Sequence, residues 1–411
     1  MTESKSIEEK YSLKYYVIFF IIIFISDDTF NFGTNNNFVY IIIKYVLYLI
    51  LTVYLLLKSN LSFLIKVTKS SLVFYTILLS ISGTIFFNFD VSGGYIYQFW
   101  LLFLGFSIAN FFSNEQFIDV YLRFLYVLSY LSLGVFIIAN VFPSIIYVFP
   151  VQINSAEANV YNLGFCMVSF ENAFVRNMSI FREPGVFMIY LNLGILFELF
   201  FKSRMNKKHL FVFIAAIFTT LSTAAFIIVA TIFVAYLFTK TKDKLILKNK
   251  VFIISLIFVA VIVIIASTEL RSMIFDKIGK DNISDGSSLS RAISVLANLN
   301  IFLDNIFFGV GIKNYPLFFE KYTRDLIGFG LDVGNNTNTI TTVFAVYGFF
   351  FGALFIFMLV SFSKKTSNLI IVRSLVFLVL IMLYSNEDLR YSLMSATLLM
   401  WGLINRKKTE N

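Results

Sequence analysis

Residues 181–187 read FREPGVF: Arg182 and Glu183 stand side by side, then Pro184 and Gly185, with long apolar stretches on both flanks. Charge at membrane depth is costly and marks a functional position by default. An arginine suits an anionic group such as a diphosphate, because its planar fork donates paired hydrogen bonds and keeps its charge. Glu183 would then orient Arg182 or accept a proton. A plainer reading also fits. Pro184 suits the first turn of a helix, where its missing N–H costs nothing, and Glu183 is favoured near the positive end of the helix dipole. Arg182 would then simply snorkel outward.

Arg291, in SSLSRAISVLANLNIFLDN, is the second candidate cation, with a solvated helix face as the alternative. Arg176, in FVRNMSIF, is the third. NEDLRYS offers Glu387, Asp388 and Arg390, which can also pair with one another and do nothing more. Lys313 follows Gly309 and Gly311 in FFGVGIKNY. A lone Gly-x-Gly without a strand–loop–helix context is a weak phosphate signal, and a turn is the better reading. In DVGNNTNTITT, Asn335 and Asn336 are candidates for a sugar site, against the plainer reading of a helix start.

These residues need a scaffold. The chain has 411 residues, 58% hydrophobic and 14% charged, with a mean hydropathy of +0.82. A soluble domain cannot bury that much apolar surface. Nearly uncharged segments of about twenty residues recur, as in membrane-spanning helices, and continuous apolar runs argue against a barrel. The first run, near 15–26, lacks a small-residue cleavage site and reads as a retained span rather than a signal peptide. A single cysteine, Cys166, excludes an internal disulfide, and a single histidine, His209, excludes a His-rich metal site. No metal or cofactor is expected. The net charge of +9 resides in short basic loops, which is an orientation pattern rather than a nucleic-acid footprint.

Spans are expected near 15–26, 38–57, 71–88, 94–112, 120–142, 185–201, 210–222, 224–239, 251–267, 340–362, 369–384 and 391–404. The fold class is thus an all-α polytopic membrane protein of about 12 transmembrane helices, one integral domain over 1–411. The connections at one end carry 22 Lys/Arg and 7 Asp/Glu, and those at the other 10 Lys/Arg and 16 Asp/Glu. The positive-inside rule places the basic end and both termini in the cytoplasm. Residues 210–239 are long for one helix and short for two; a tight hairpin or two short spans turning at LSTAAF keeps every basic loop on one side. Lys44 and Glu198 lie within spans. Two extracytoplasmic loops are long, 143–184 and 268–339. The longer one carries Leu289, Ile293, Leu296, Leu299 and Leu303 at helical spacing. That predicts a short amphipathic helix at the membrane surface with its leucine stripe buried, and with Arg291, Ser294 and Asn298 on another face. Asp285, Ser287 and Ser288 are plausible caps at its start.

The order of four motifs resembles the O-antigen polymerases and ligases of bacterial envelopes, the Wzy-type superfamily. FREPGVF is similar to an Arg-x-x-Gly at the head of a mid-chain span, and LSTAAF to a Ser/Thr turn between spans. SLSRAISVLANLNIFLDNIFFGVGIKNY is similar to an Arg, an apolar helix and a Gly-x-Gly. NNTNTITTVFAVYGFFFGALF is similar to an Asn-rich start of a span carrying Gly-x-x-x-Gly. The motifs cover residues 176 to 352. Two departures stand out. Ala224 and Ala225 follow Thr223 where the family often has an Arg, and Asn335 stands where the ligase branch has a His. The second favours polymerase.

The resemblance implies glycosyl transfer at the outer face of the bacterial cytoplasmic membrane. A growing glycan would move from polyprenyl diphosphate onto a new polyprenyl-diphosphate-linked repeat unit, in making O-antigen or capsule. It implies Arg182, Glu183 and Arg291 as catalytic, and Arg176, Gly185, Lys313, Asn335, Asn336 and Arg390 as substrate-binding. Partners would be the lipid-linked oligosaccharide, membrane lipid, and a chain-length regulator and flippase of the same pathway; nucleic acid is not expected. The alternatives are an O-antigen ligase and a lipid-linked oligosaccharide flippase or other transporter. A transporter would carry more polar residues deep in its spans and shorter loops.

Overall fold

The computed structural model describes residues 13–34, 38–58, 69–153, 159–171, 174–239, 250–252, 254 and 286–404. Its helices are α1 (Leu13–Phe24), α2 (Phe38–Lys58), α3 (Lys69–Asn88), α4 (Gly93–Phe111), α5 (Asn114–Val141), α6 (Pro143–Ile146) and α7 (Pro184–Phe200). Then follow α8 (Lys207–Thr220), α9 (Thr223–Leu237), α10 (Gly286–Asp304), α11 (Gly311–Ile327), α12 (Thr339–Ser363), α13 (Ile370–Tyr384) and α14 (Leu393–Leu403). Among the described residues, four are long and apolar enough to cross a membrane: Phe38–Lys58, Ser71–Asn88, Asn114–Val141 and Thr339–Ser363. Several shorter apolar helices accompany them, consistent with a chain that crosses the membrane repeatedly. The span expected at 251–267 falls almost wholly outside the described residues.

Two helices are apolar all round, and each is buried along almost its whole length: α7 and α14. Both begin at the same end of the molecule, α7 directly after Arg182 and Glu183, α14 directly after Glu387–Ser392. Close packing carries α14 against α4. A Cβ at Gly105 would come within 2.7 Å of the Ala396 carbonyl carbon, so only glycine admits that approach. The turn at LSTAAF separates α8 from α9 as expected, with Leu221 left-handed at φ 52°.

The all-α expectation needs correcting. Four short strands form an antiparallel sheet in the order β1 (Val151–Ile153), β2 (Asn159–Asn162), β3 (Met167–Glu171), β4 (Phe174–Ser179). Cys166, Val168 and Val175 from this layer cluster with Val135, Ala139 and Ile146 at the end of α5 and in α6. Hydropathy windows of span length average over such short strands, and the period-two pattern in MVSFE is lost in them.

The amphipathic helix in the second long loop exists as α10, with Ile293 buried as expected but the leucine stripe and the polar face exchanged. Leu296, Leu299 and Leu303 are exposed, whereas Ile293, Ser294, Ala297, Asn298 and Ile301 are buried, on a helix that packs against α12. Lipid is as apolar as leucine, so helix contact in a membrane favours small and polar residues and leaves leucines outward. Asp285 lies outside the described residues, as do the side chains of Ser287, Ser288 and Leu289.

Helix α12 is broken internally at Gly348 (φ 75°, ψ −168°). The turn after α10 inserts there: Val310 N–H donates to Ala345 O at 3.0 Å, and Phe349 N–H to Ile306 O at 2.7 Å. Thr84 Oγ1 donates to Tyr347 O at 3.2 Å. The groups freed by the break thus find partners, as membrane-depth backbone requires.

Candidate functional site

The loops rich in acidic residues meet at the end where α7 and α14 start. A bridge between Thr29 and Phe181 joins the first loop to the segment before α7. Arg182 N–H donates to Asp28 O at 2.9 Å. Thr339 Oγ1, at the start of α12, donates to Glu387 O at 2.5 Å and accepts from Leu389 N–H at 2.8 Å, which ties 385–392 in place. Pro184 opens α7 as expected. Glu183 is its N-cap residue, and its side chain makes no capping bond.

Around Arg182 the charges gather. Its Nη2 donates to Asp388 O at 2.8 Å and stands 3.8 Å from Glu387 Oε2, beyond hydrogen-bond distance. Its Nε is buried without a hydrogen-bond partner among the described residues. Glu387 is 3% exposed. Burial drives its carboxyl up, to about 8; the Glu183 charge adds to this, and Arg182 and Arg291 oppose it. Arg291 is thereby placed near the same carboxylate, although it lies more than a hundred residues from Arg182 in the chain. A Cβ at Gly185 would overlap Glu387 Oε1, so glycine is what lets the carboxylate sit on the first turn of α7.

Beside this centre is a cavity of about 300 Å³, lined by Asp27, Asp28, Arg182, Asp388, Tyr97, Tyr391, Ser392, Gly93 and neighbours. Asp28 Oδ2 accepts from Tyr190 Oη at 2.5 Å and from Ser392 Oγ. Burial raises the Asp28 carboxyl against the pull of Arg182 and of those two hydroxyls. Asp27 accepts from Lys44 Nζ at 2.6 Å and from Tyr97 Oη, which accounts for the lysine within α2.

The other predicted site residues are placed as follows. Arg390 is locked to Asp388, with Nε–Oδ1 at 2.9 Å and Nη2–Oδ2 at 2.7 Å, between the rings of Tyr315 and Tyr391. Burial would raise Asp388, but Arg390's charge and hydrogen bonds, with Arg182, hold it below the ordinary carboxylate value. Asn336 is buried in a network: it donates to Thr342 Oγ1 at 2.7 Å and accepts from Asn298 Nδ2 at 3.2 Å. Tyr315 Oη donates to Asn298 Oδ1 at 2.8 Å. Asn335 closes a 3₁₀ turn, and its side chain lies outside the described residues. Lys313 is exposed, with its backbone N–H on Asp90 Oδ2 at 2.8 Å. Arg176 Nε donates to Thr220 O at 3.2 Å, at the C-terminal end of α8.

Arg182 and Gly185 are therefore brought against Glu387, and the charges of Glu183 and Arg291 act on the same carboxylate. Asp27, Asp28, Tyr97, Tyr391 and Ser392 were not anticipated. The one sequence signal for them was the acidic pair in SDDTFNFG, at the same end of the chain's spans as FREPGVF and NEDLR. Metal-type clusters of three or more His, Cys, Asp or Glu are absent among the described residues.

Comparison with known proteins adds a family. Residues 209–340 of the 411 match the family model described as O-antigen ligase. The matched stretch contains Arg291, Lys313, Asn335 and Asn336, and Arg182 and Glu387 fall outside it. No curated protein and no solved structure matches the chain. The match supports the O-antigen polymerase/ligase superfamily.

Proposed function

We propose that the chain is a metal-independent polysaccharide polymerase acting on polyprenyl-diphosphate-linked oligosaccharides at the outer face of the cytoplasmic membrane. The observation that carries this is Arg182, with its Nε unpartnered among the described residues, 3.8 Å from the buried carboxylate of Glu387 at the acid-rich end. In the reaction the acceptor hydroxyl oxygen bonds to the anomeric carbon of the growing glycan. The bond from that carbon to the diphosphate oxygen breaks, and the electron pair leaves with the lipid diphosphate. Two fixed guanidinium groups stabilise the charge that develops there, and the unpartnered Arg182 Nε is a donor that a phosphate oxygen would satisfy.

The hydroxyl proton goes to Glu387. A general base works best with a pKa near the working pH, and burial tunes Glu387 toward that range. Glu183, as its like-charged neighbour, helps hold that pKa up. Arg390 positions Asp388 and Tyr391 through its ion pair and its stacking. Asn335, in place of the His of the ligase branch, favours polymerase over ligase. The basic loops support a cytoplasmic location for the opposite end.

The test uses purified chain in lipid vesicles, given the polyprenyl-diphosphate-linked repeat unit alone. A ladder of increasing length is expected from the wild type. Glycan passed only to a separate lipid acceptor, with no ladder, would make it a ligase, and no transfer of either kind would end the enzyme reading.

A further inference from the structure

From the cavity beside the arginines we infer a subsite for the neutral terminal sugar of the acceptor, separate from the place where the diphosphate sits. This rests on the glycan-transfer reading. The volume of about 300 Å³ is at the lower end of ligand pockets, ~300–1,000 Å³.

The lining decides which half of the substrate enters. Asp27, Asp28 and Asp388 contribute carboxylates to its wall; of the cations beside them Lys44 and Arg390 are paired, and Arg182, at the boundary, keeps an Nε unpartnered among the described residues. Lys44 is on Asp27, and Arg390 is on Asp388. A diphosphate entering here would meet carboxylates, and like charges close together are strongly unfavourable. A polyol meets the reverse situation. Carboxylates accept hydroxyl hydrogens, and the Ser392 and Tyr97 oxygens, whose own hydrogens lie on Asp28 and Asp27, can accept as well. Tyr97 and Tyr391, stacked on each other with centroids 5.8 Å apart, both line the cavity and add aromatic carbon to its wall. Arg182 lies on the boundary: it lines the cavity and also faces Glu387. An acceptor hydroxyl emerging from the cavity would therefore meet the base and the leaving group together.

Gly93 provides a clean probe. It lines the cavity, and a Cβ built on it has no heavy atom within 4 Å. Gly93→Leu therefore adds bulk at the lining of the cavity, at a position whose Cβ meets open space. The full chain in nanodiscs is titrated by saturation-transfer NMR with the lipid-free oligosaccharide released by mild acid from the lipid-linked repeat unit. Inorganic diphosphate serves as the anionic competitor. Expected are binding of the oligosaccharide to wild type, no displacement by diphosphate, and at least about a tenfold loss of affinity, 1.4 kcal/mol, in Gly93→Leu. Tyr391→Ala is expected to weaken it likewise, and Arg291→Ala to leave it intact. Competitive displacement by diphosphate overturns the assignment, as does wild-type affinity in a Gly93→Leu chain that still folds. If oligosaccharide binding depends on Gly93 but wild type makes no ladder, the sugar site stands and the polymerase reading falls.

Discussion

Both ends of the molecule bury a glutamate, and the two are handled oppositely. At the basic end Glu198, 1% exposed, caps the start of α8. It accepts from Asn206 N–H and pairs with His209 Nδ1 at 3.2 Å. Around it Lys202 pairs with Asp119, and Lys365 donates to Trp401 O and, at 2.7 Å, to Ile404 O. That end is a set of closed helix ends. Glu387 has instead an arginine at 3.8 Å, a second arginine nearby, a like charge from Glu183, and a cavity alongside. A buried carboxylate that is fully hydrogen-bonded holds structure together. One left loosely paired has a raised pKa and charges around it with bonding capacity to spare, which is what a reaction centre needs.

The largest expected effect breaks the comparison at the acid-rich end. Arg291→Ala and Arg182→Ala should each lower the transfer rate by about 10²–10³-fold, read as ladder growth against time. A fall of less than about threefold in both would remove the cations from the centre. Next, Glu387→Gln should cost about 10²–10⁴-fold, and the pH profile sharpens the point. The base must be deprotonated, so the wild-type rate should rise with pH and level off above about 8. The variant should lose that limb.

Stability moves the other way. The folded pKa of Glu387 is raised from 4.5 to about 8. The stability it contributes is present below about pH 4.5 and is lost as pH rises through 8. Glu387→Gln should therefore flatten the decline of melting temperature across that window. At the opposite end, Glu198→Gln should cost about 1–3 kcal/mol by weakening the α8 cap, while ladder growth per folded molecule stays unchanged. The smallest effect is expected from Arg176→Ala, which removes a donor to Thr220 O and should lower stability by about 1 kcal/mol, measured by thermal unfolding.

Much of the helical scaffold is legible in local patterns. The positions of α2, α3, α7 and α12 follow from apolar windows of span length, and the α8–α9 turn from parity of the basic loops. The Glu183–Pro184 start of α7 follows from helix-end chemistry. The sheet at 151–179 was not legible, because short strands carry little weight in a long window. The buried face of α10 is not legible from leucine content, because Asn298 goes inward to partners supplied by Tyr315 and Thr342.

The amino-acid sequence by itself determined that this chain is a polytopic membrane protein with a basic and an acidic end. It also singled out Arg182 and Arg291, since charge placement and apolar run length are local properties. Only the tertiary structure decided that Glu387 rather than Glu183 is the buried carboxylate. It alone showed that Arg390 is spent on Asp388, and that Asp27, Asp28, Tyr97 and Tyr391 share one cavity. Those facts depend on which helix starts lie side by side, on the room left by Gly185 and Gly93, and on desolvation. Each arises from segments distant in the chain packing together, and no local pattern encodes it.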